Sequence, residues 1–376
     1  MNIFFEANDK LEVFIKDGLY NYHKLRNYDF GAKNRTNVSQ ISKYISHRIL
    51  YEYEIIEKIK SIDKKKKFTD EILWRIYWKG YLENYKSIWN EYKNQKLYKY
   101  ESSVLKNAMY GETGIDCFDR WVEELKYNNY LHNHARMWFA SMWIFTFKLP
   151  WQLGARFFMK HLFDGDAASN TLSWRWVAGI HTNNKPYLAS KENINKYTAN
   201  RFKNIPIELT KSTTTSQKIR HQTNKIPSHT NSPLSNVLFM FDNDLNIWNR
   251  SKLFNSYSNV YIIFNLMIEG RIKLSENVSN FKRSLAENIY KLLPNSEIIN
   301  FTELDILLND YKCIDVIYPG VGSNLDSINN YSILKNIFIN FIYREDDLKN
   351  WNYARSGFFK FKTSFYSINN IKSNST

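Results

Sequence analysis

The sequence predicts a two-domain protein, in which an N-terminal all-α domain is followed by a C-terminal α/β domain with a Rossmann-like parallel sheet. Apolar residues recur at helical intervals through residues 1–202. Residues 203–235 are rich in Ser, Thr, Asn and Pro, which predicts a linker. From 236 to 376, short β-rich runs alternate with helical patterns. This alternation is typical of a doubly wound parallel sheet.

Three helices are predicted early in the first domain. They cover Glu6–Asn21, Ile41–Ile62 and a segment that begins at an N-cap at Thr69 or Asp70. The third helix carries four residues at i, i+3, i+4 and i+7 spacing: Glu71, Trp74, Arg75 and Trp78. Because a core face would not hold Glu and Arg, this face is predicted to line a polar space.

Five strands are predicted in the second domain: Val237–Phe241, Val260–Phe264, Glu297–Phe301, Ile314–Tyr318 and Ile337–Ile342. Helical patterns lie between some of them, most clearly at Ser275–Leu293 and Leu325–Lys335. The first strand is not followed by GxGxxG, so the usual dinucleotide site is not predicted.

Composition limits the function classes. The formal net charge of +15 suits a polyanionic partner, or equally a solvated lysine-rich surface. The two cysteines, Cys117 and Cys313, give no disulfide framework and no CxxC metal motif. No apolar run is long enough to span a bilayer, and the N-terminus lacks a signal design. We therefore expect a cytoplasmic protein that is a monomer and has no membrane partner.

The segment Thr113–Phe202 concentrates chemistry-bearing residues. A zinc site at His132 and His134 is disfavoured, because residues two apart point away from each other on a helix. Asp164 and Asp166 have three interpretations: a paired-carboxylate acid/base device, an N-cap for the next helix, or acceptors for a ligand.

Tryptophans are dense in the first domain: Trp74, Trp78, Trp138, Trp143, Trp151, Trp174 and Trp176. Each one alone would be assigned to the core. Together they also suit stacking on flat bases or electron hopping to a buried redox cofactor. No nucleophile elbow is present, so a Ser-His-Asp hydrolase is not indicated.

Three motifs in order resemble the photolyase/cryptochrome family. TGIDCFD is similar to the family's TGxPxVDAA, YLHNHARM to its WMHNRxRM, and FDGDAASNTLSWRWVAG to its IDGDPASNNGGWQWxAS. The resemblance covers roughly residues 20–202. It implies a helical domain that holds FAD in a U-shaped conformation. The implied FAD-binding residues are Tyr22, Ser39, Gln40, Ile41, Ser42, Arg75, Asn133, Arg136, Asp164, Asp166 and Asn170.

The resemblance also implies light-driven, FAD-dependent repair of cyclobutane pyrimidine dimers in DNA. EILWR resembles the repair enzymes' ELxWREF, and the residues implied to contact the dimer are Glu71, Trp74, Asn133, Met137 and Trp176. Trp174 and Trp151 match two members of the family's electron-transfer chain, and the distal position falls near Tyr98 or Tyr100. The family's diphosphate-binding TSxLS reads VSQIS here, and His134 stands at an arginine position.

Two departures leave alternatives. The family's α/β antenna domain should precede the helical domain, and faint matches after residue 235 suggest a circular permutation, with an antenna chromophore left undecided. A cryptochrome-like photoreceptor that binds FAD without repair is the main alternative. A binding or structural relic that has lost flavin is a third, motivated by the weakened VSQIS segment.

Overall fold

The first half of the chain is helical. The protein's structure, a computed structural model, describes residues 2–95, 97, 100–181, 185–203, 205, 221–269 and 272–371. The helices of this half are α1 (Ile3–Val13), α2 (Leu19–Leu25), α3 (Ser42–Ser46), α4 (Glu52–Ile59), α5 (Lys66–Asn84), α6 (Lys86–Lys93), α7 (Ser103–Tyr110), α8 (Asp116–Asn128), α9 (Asn133–Ser141), α10 (Trp151–His161), α11 (Ala167–Val177) and α12 (Lys191–Tyr197). Single π-helical turns continue α1 and α9, at Phe14–Gly18 and Met142–Thr146.

A five-stranded parallel sheet dominates the second half. Its strands are β1 (Val237–Phe241), β2 (Asn259–Phe264), β5 (Ser296–Asn300), β6 (Cys313–Ile317) and β7 (Phe338–Ile342), in the order β5-β2-β1-β6-β7. Strands β3 (Met267–Ile268) and β4 (Ile272–Lys273) form a small antiparallel pair. The flanking helices are α13 (Ser251–Phe254), α14 (Glu276–Tyr290), α15 (Leu304–Leu307), α16 (Ser323–Lys335), α17 (Glu345–Trp351) and α18 (Phe358–Ile368).

The central strand shows why this sequence forms a parallel sheet. In register, Phe239 lies opposite Tyr261 on one side and Val316 on the other, and every residue of β1 is buried. A strand that helices cover on both faces is expected to be continuously apolar. The predicted fold class is confirmed, and the sheet follows residue 235, as the permutation hypothesis requires.

Two helix predictions were wrong. The predicted helix Ile41–Ile62 is two helices, α3 and α4, because the chain breaks between them at Arg48, whose φ is +52°. The helix predicted to start at Thr69 or Asp70 starts at Lys66. Thr69 Oγ1 instead donates to the Lys65 carbonyl within that helix. In both places tertiary contacts outweigh the local cap signal.

Between α3 and α4, the Arg48 side chain extends to carboxylates of the second half. The Arg48 guanidinium bonds Asp244 at 3.1 Å and Asp347 at 2.7 Å, and its Nε lies 3.4 Å from Glu52. Lys79 of α5 completes the pairing of Glu52 at 2.8 Å. Since these charges are buried or nearly so, removing one partner would leave others uncompensated. This buried ionic cluster therefore fixes the two halves against each other.

The predicted linker is described only at its ends. Residues 206–220 lie outside the described residues. Beyond them the chain runs without helix beside the sheet, where Asn340 donates to the Ser232 carbonyl and the Leu234 amide donates to Asp315.

Candidate functional site

A cleft of about 530 Å³ opens among α2, α3, α5, α9 and α11. Its volume lies in the range of small-molecule sites. Its lining includes these residues singled out from the sequence: Tyr22, Ser39, Gln40, Ile41, Ser42, Glu71, Trp74, Arg75, Asn133, Arg136, Met137, Asp164, Asp166, Asn170, Trp174 and Trp176. Segments far apart in sequence thus converge on one space.

A buried ion pair marks the floor of the cleft. Arg136 Nη2 lies 2.8 Å from Asp164 Oδ2, and the Asp164 side chain is 3% exposed. Burial alone would raise the pKa of Asp164, but the charge and hydrogen bond of Arg136, together with the Arg75 charge and other polar contacts, outweigh burial and lower that pKa. Asp164 therefore stays ionised at neutral pH, with Oδ1 buried and without a hydrogen-bond partner.

Helix α11 presents two polar residues to the cleft. Asp166 is its N-cap and accepts from the Ser169 amide at 2.7 Å. Asn170 Nδ2 donates to the Ala155 carbonyl at 2.9 Å, which fixes the amide plane. The second Asp166 oxygen and the Asn170 carbonyl oxygen are thus the atoms that remain for a ligand.

The carboxyl of Glu71 has a partner that the sequence did not suggest. Arg26, at the end of α2, donates to Glu71 Oε1 at 2.8 Å, and both residues line the cleft. Burial raises the pKa of Glu71 although Arg26 opposes that shift. Helix periodicity could not have found this pair, because 45 residues separate its members.

Each of two cleft tryptophans stacks on another ring. Trp74 lies parallel to Phe358, with ring centroids 3.8 Å apart and an interplanar angle of 5°. Trp176 stacks on Tyr187 at 5.5 Å and 27°. Both indoles line the cleft, whereas neither Phe358 nor Tyr187 belongs to its lining.

An aromatic path leads away from the cleft. Trp174 packs so closely against α10 that a Cβ on Gly154 would lie 2.2 Å from its ring. Trp151, one turn earlier on α10, does not line the cleft and stacks on Tyr92 at 5.5 Å and 25°. Tyr98 lies outside the described residues, whereas Tyr92 is an aromatic neighbour that the motifs did not indicate.

Metal chemistry finds no support here. Among the described residues, no group of three His, Cys, Asp or Glu side chains could hold a metal ion. His132 instead accepts from the His134 amide at 3.2 Å, as the N-cap of α9. Burial lowers the pKa of both imidazoles to about 4, so both are neutral at pH 7. Within the same described ranges, no helix combines the length and apolarity that a membrane span requires.

The segment that forms most of this cleft matches a known protein family. Residues 68–205, which include α5 and α8 to α11, match the model described as the FAD binding domain of DNA photolyase. This part of the chain is similar to the photolyase/cryptochrome family. It contains the FAD-binding domain of that family, and FAD is its cofactor.

Curated relatives are deoxyribodipyrimidine photo-lyases. The protein of Buchnera aphidicola subsp. Baizongia pistaciae is 30% identical over 198 residues, covering 48% of this chain and 39% of the relative. That of Agrobacterium fabrum is 27% identical over 191 residues, with the same two coverages. The mitochondrial enzyme of Saccharomyces cerevisiae is 31% identical over 134 residues, covering 34% and 24%. The matched part is therefore about two fifths or less of each of these relatives.

Solved structures of photolyases and cryptochromes superpose on about half of this chain. The cryptochrome of Synechocystis sp. PCC6803 gives a TM-score of 0.46 at 23% identity, covering 52% of this chain and 43% of that one. The bacterial class III photolyase from Agrobacterium tumefaciens gives 0.42 at 23% identity, covering 51% and 42%.

The cleft has polar atoms suited to FAD. Six buried atoms on its lining residues have no hydrogen-bond partner: Asn27 Oδ1, Ser42 Oγ, Arg75 Nε, Asp164 Oδ1, Ser169 Oγ and Trp174 Nε1. Buried polar atoms are normally satisfied, so such a cluster indicates a ligand with donors and acceptors. FAD provides both, through its ring imide, hydroxyls and diphosphate. The residues present therefore fit the cofactor.

A second cavity lies at the carboxyl ends of β1 and β6. Its volume is about 90 Å³, far below that of ordinary small-molecule sites. Lys282 enters it and pairs with Asp242 at 2.7 Å. The switch point of the sheet, where α/β proteins often bind ligands, is here occupied mainly by the protein's own side chains.

Proposed function

We propose that this protein is a light-driven DNA-repair enzyme, a monomer in the cytoplasm, that splits cyclobutane pyrimidine dimers with FAD. One observation carries the proposal: residues suited to a dimer and residues suited to a flavin line the same cleft. The curated relatives, named deoxyribodipyrimidine photo-lyases, support it at 25–31% identity.

The flavin would be held by the floor of the cleft. Asp166 would accept from the ring imide, and Asn170 would face the ring's N5. The Arg136–Asp164 pair would lie beside the isoalloxazine. For the diphosphate, the segment 39–42 and Tyr22 supply hydroxyl and backbone donors. Bound FAD, reduced and excited by blue light, supplies the electron that opens the dimer.

The dimer would enter above the flavin, flipped out of the DNA stack. Trp74 and Trp176 offer indole faces for its two bases. Asn133 has donors and acceptors for thymine carbonyl and N–H groups, and Met137 supplies apolar contact. Burial raises the pKa of Glu71, and its carboxyl would hydrogen-bond the thymine carbonyl and N–H groups of the dimer.

DNA binding would draw on the basic surface. The formal charge of +15 favours phosphate contacts and a salt-dependent affinity. Arg26 lies at the cleft and is suited to contact a phosphate that flanks a flipped dimer.

A cryptochrome-like photoreceptor is the second candidate function. The stacked pair Trp151 and Tyr92 favours it, because aromatic rings leading away from the flavin suit photoreduction. His134 in place of the family's arginine also favours a site that does not act on DNA.

Illumination of defined substrates tests the proposal. Flavin-loaded, reduced protein would be mixed with single- and double-stranded oligonucleotides that carry one thymine dimer, with dark samples as controls. We expect dimers to disappear only in the light and Trp176→Ala to slow that loss by about 5- to 150-fold, since stacking contributes about 1–3 kcal/mol per base. If illuminated wild-type protein leaves the dimer content of both substrates unchanged, repair is excluded.

A further inference from the structure

The ring behind Trp74 comes from the far end of the chain. Phe358 is the first residue of α18, beyond the parallel sheet and outside residues 68–205 that match the family model. It is 5% exposed and lies 3.8 Å from the Trp74 ring, centroid to centroid, almost parallel to it. Since Trp74 lines the cleft and Phe358 does not, the indole lies between Phe358 and the cleft.

The start of α18 is fastened to α5, the helix that carries Trp74. Tyr77 donates from its hydroxyl to the Ser356 carbonyl at 2.8 Å, and Lys362 pairs with Asp70. Phe361, one turn after Phe358, packs on the Tyr77 ring at 5.5 Å. The Phe358 ring is therefore held in place from both sides of its position in the chain.

We propose that Phe358 is a positioning residue for dimer recognition, because it holds the Trp74 indole flat with one face toward the cleft. This inference rests on the repair function proposed above. An indole with only one free face has fewer orientations to lose when a base stacks on it, so a fixed ring binds more tightly. Trp176, backed by Tyr187, shows the same arrangement on α11.

The proposal gives the C-terminal segment a role in substrate binding. Helix α5 lies between the cleft and this segment, so its lesion-facing side is shaped by residues that follow the sheet. The dimer site is then completed by α18, while the flavin side depends on α9 to α11.

Binding measurements on matched leucine variants test this role. The probe is a single-stranded oligothymidine with one thymine dimer, compared with the same undamaged strand, both bound to flavin-loaded protein. Phe358→Leu keeps apolar volume and loses the stacked ring. We expect about fivefold weaker binding of the damaged strand, the equivalent of an aromatic pair, with binding of the undamaged strand and flavin content unchanged. Phe365→Leu, a buried control two turns further along the same helix whose ring lies against Tyr53, is expected to leave all three unchanged.

A double-mutant cycle separates positioning from general packing. In a Trp74→Ala background, Phe358→Leu is expected to have no further effect on the damaged strand. The proposal is overturned if Phe358→Leu binds that strand like the wild type or more tightly, or if Phe365→Leu loses as much affinity. A persisting fivefold effect without Trp74 would overturn it as well. A wild-type protein that does not distinguish the two strands would instead contradict the repair function, and the positioning role with it.

Discussion

Asp164 is a carboxylate removed from water, with one charged partner and one unpaired oxygen. Burying this carboxylate costs free energy unless Arg136 pairs with one oxygen and a ligand donates a hydrogen bond to the other. At the residue scale, the cleft residues could be predicted because motif letters with near-constant spacing identify them. Arg26, Tyr92 and Phe358 could not, because each meets its partner only through tertiary packing.

Replacing Arg136 tests the ionic floor of the cleft. We expect Arg136→Ala to destabilise the protein by about 3 kcal/mol, because Asp164 would become a buried, unpaired charge. The same variant should retain little flavin. Urea unfolding and the visible absorbance of bound flavin measure the two effects.

Arg120 provides the control for that substitution. Its side chain is 66% exposed and pairs with Glu123 at 3.2 Å on the surface of α8. Arg120→Ala should change the free energy of unfolding by less than about 0.5 kcal/mol and keep its flavin. Equal losses in both variants would contradict the role given to the buried pair.

Helix α5 is the element that connects the cleft with the C-terminal segment. Its cleft face was predicted from the spacing of Glu71, Trp74 and Trp78, since only a polar lining explains charge at those positions. The contacts of the opposite face could not be predicted from the sequence, because a single glycine such as Gly80 gives no periodic signal. In the structure Gly80 packs against Trp351, the last residue of α17, and against Ala354 just beyond it.

Gly80→Ala tests that close approach. A Cβ at this position would lie 2.8 Å from Ala354 Cβ and 3.0 Å from Trp351 Cα. Alanine normally stabilises a helix by about 1 kcal/mol relative to glycine, but overpacking against backbone costs about 1–3 kcal/mol. We expect net destabilisation, measured by urea unfolding. Gly357→Ser, at a site with nothing within 4 Å, should be neutral; a stabilised Gly80→Ala would refute the packing described.

At the scale of the whole molecule, the buried ionic cluster joins the two halves. The parallel sheet was predictable because its strands are short, apolar and regularly alternate with helices. The interface was not, because Arg48, Asp244 and Asp347 come from three distant segments. Sequence periodicity carries no information about such pairings.

Acid should destabilise the fold through Glu52, which pairs with Arg48 of this cluster. Lys79 and Arg48 overcome the effect of burial and lower the pKa of Glu52 from 4.5 to about 2. A depressed pKa stabilises the fold above the unfolded value, so this contribution is complete above about pH 5 and is lost as the pH falls toward 2. The shift corresponds to about 3 kcal/mol.

Urea unfolding across this pH range measures that contribution. Glu52→Gln should be less stable than the wild type at pH 7, and the difference should shrink as the pH falls below about 4.5. Glu57→Gln serves as the control, since Glu57 is 63% exposed and pairs only with surface Lys60 among its described contacts. A Glu52 effect that does not vary with pH would show that the charge of Glu52 does not contribute to the stability of this cluster.

The central proposal is that the flavin and the dimer bind in the same cleft. The absorption spectrum of the bound flavin tests this proposal most directly. Flavin-loaded protein would be titrated in the dark with an oligonucleotide carrying one thymine dimer, and in parallel with its undamaged counterpart. We predict that the damaged strand alone shifts the flavin spectrum, saturating at one strand per protein, and that Trp176→Ala weakens the shift. Tight binding of the damaged strand with an unchanged flavin spectrum would place the dimer elsewhere and contradict the proposal.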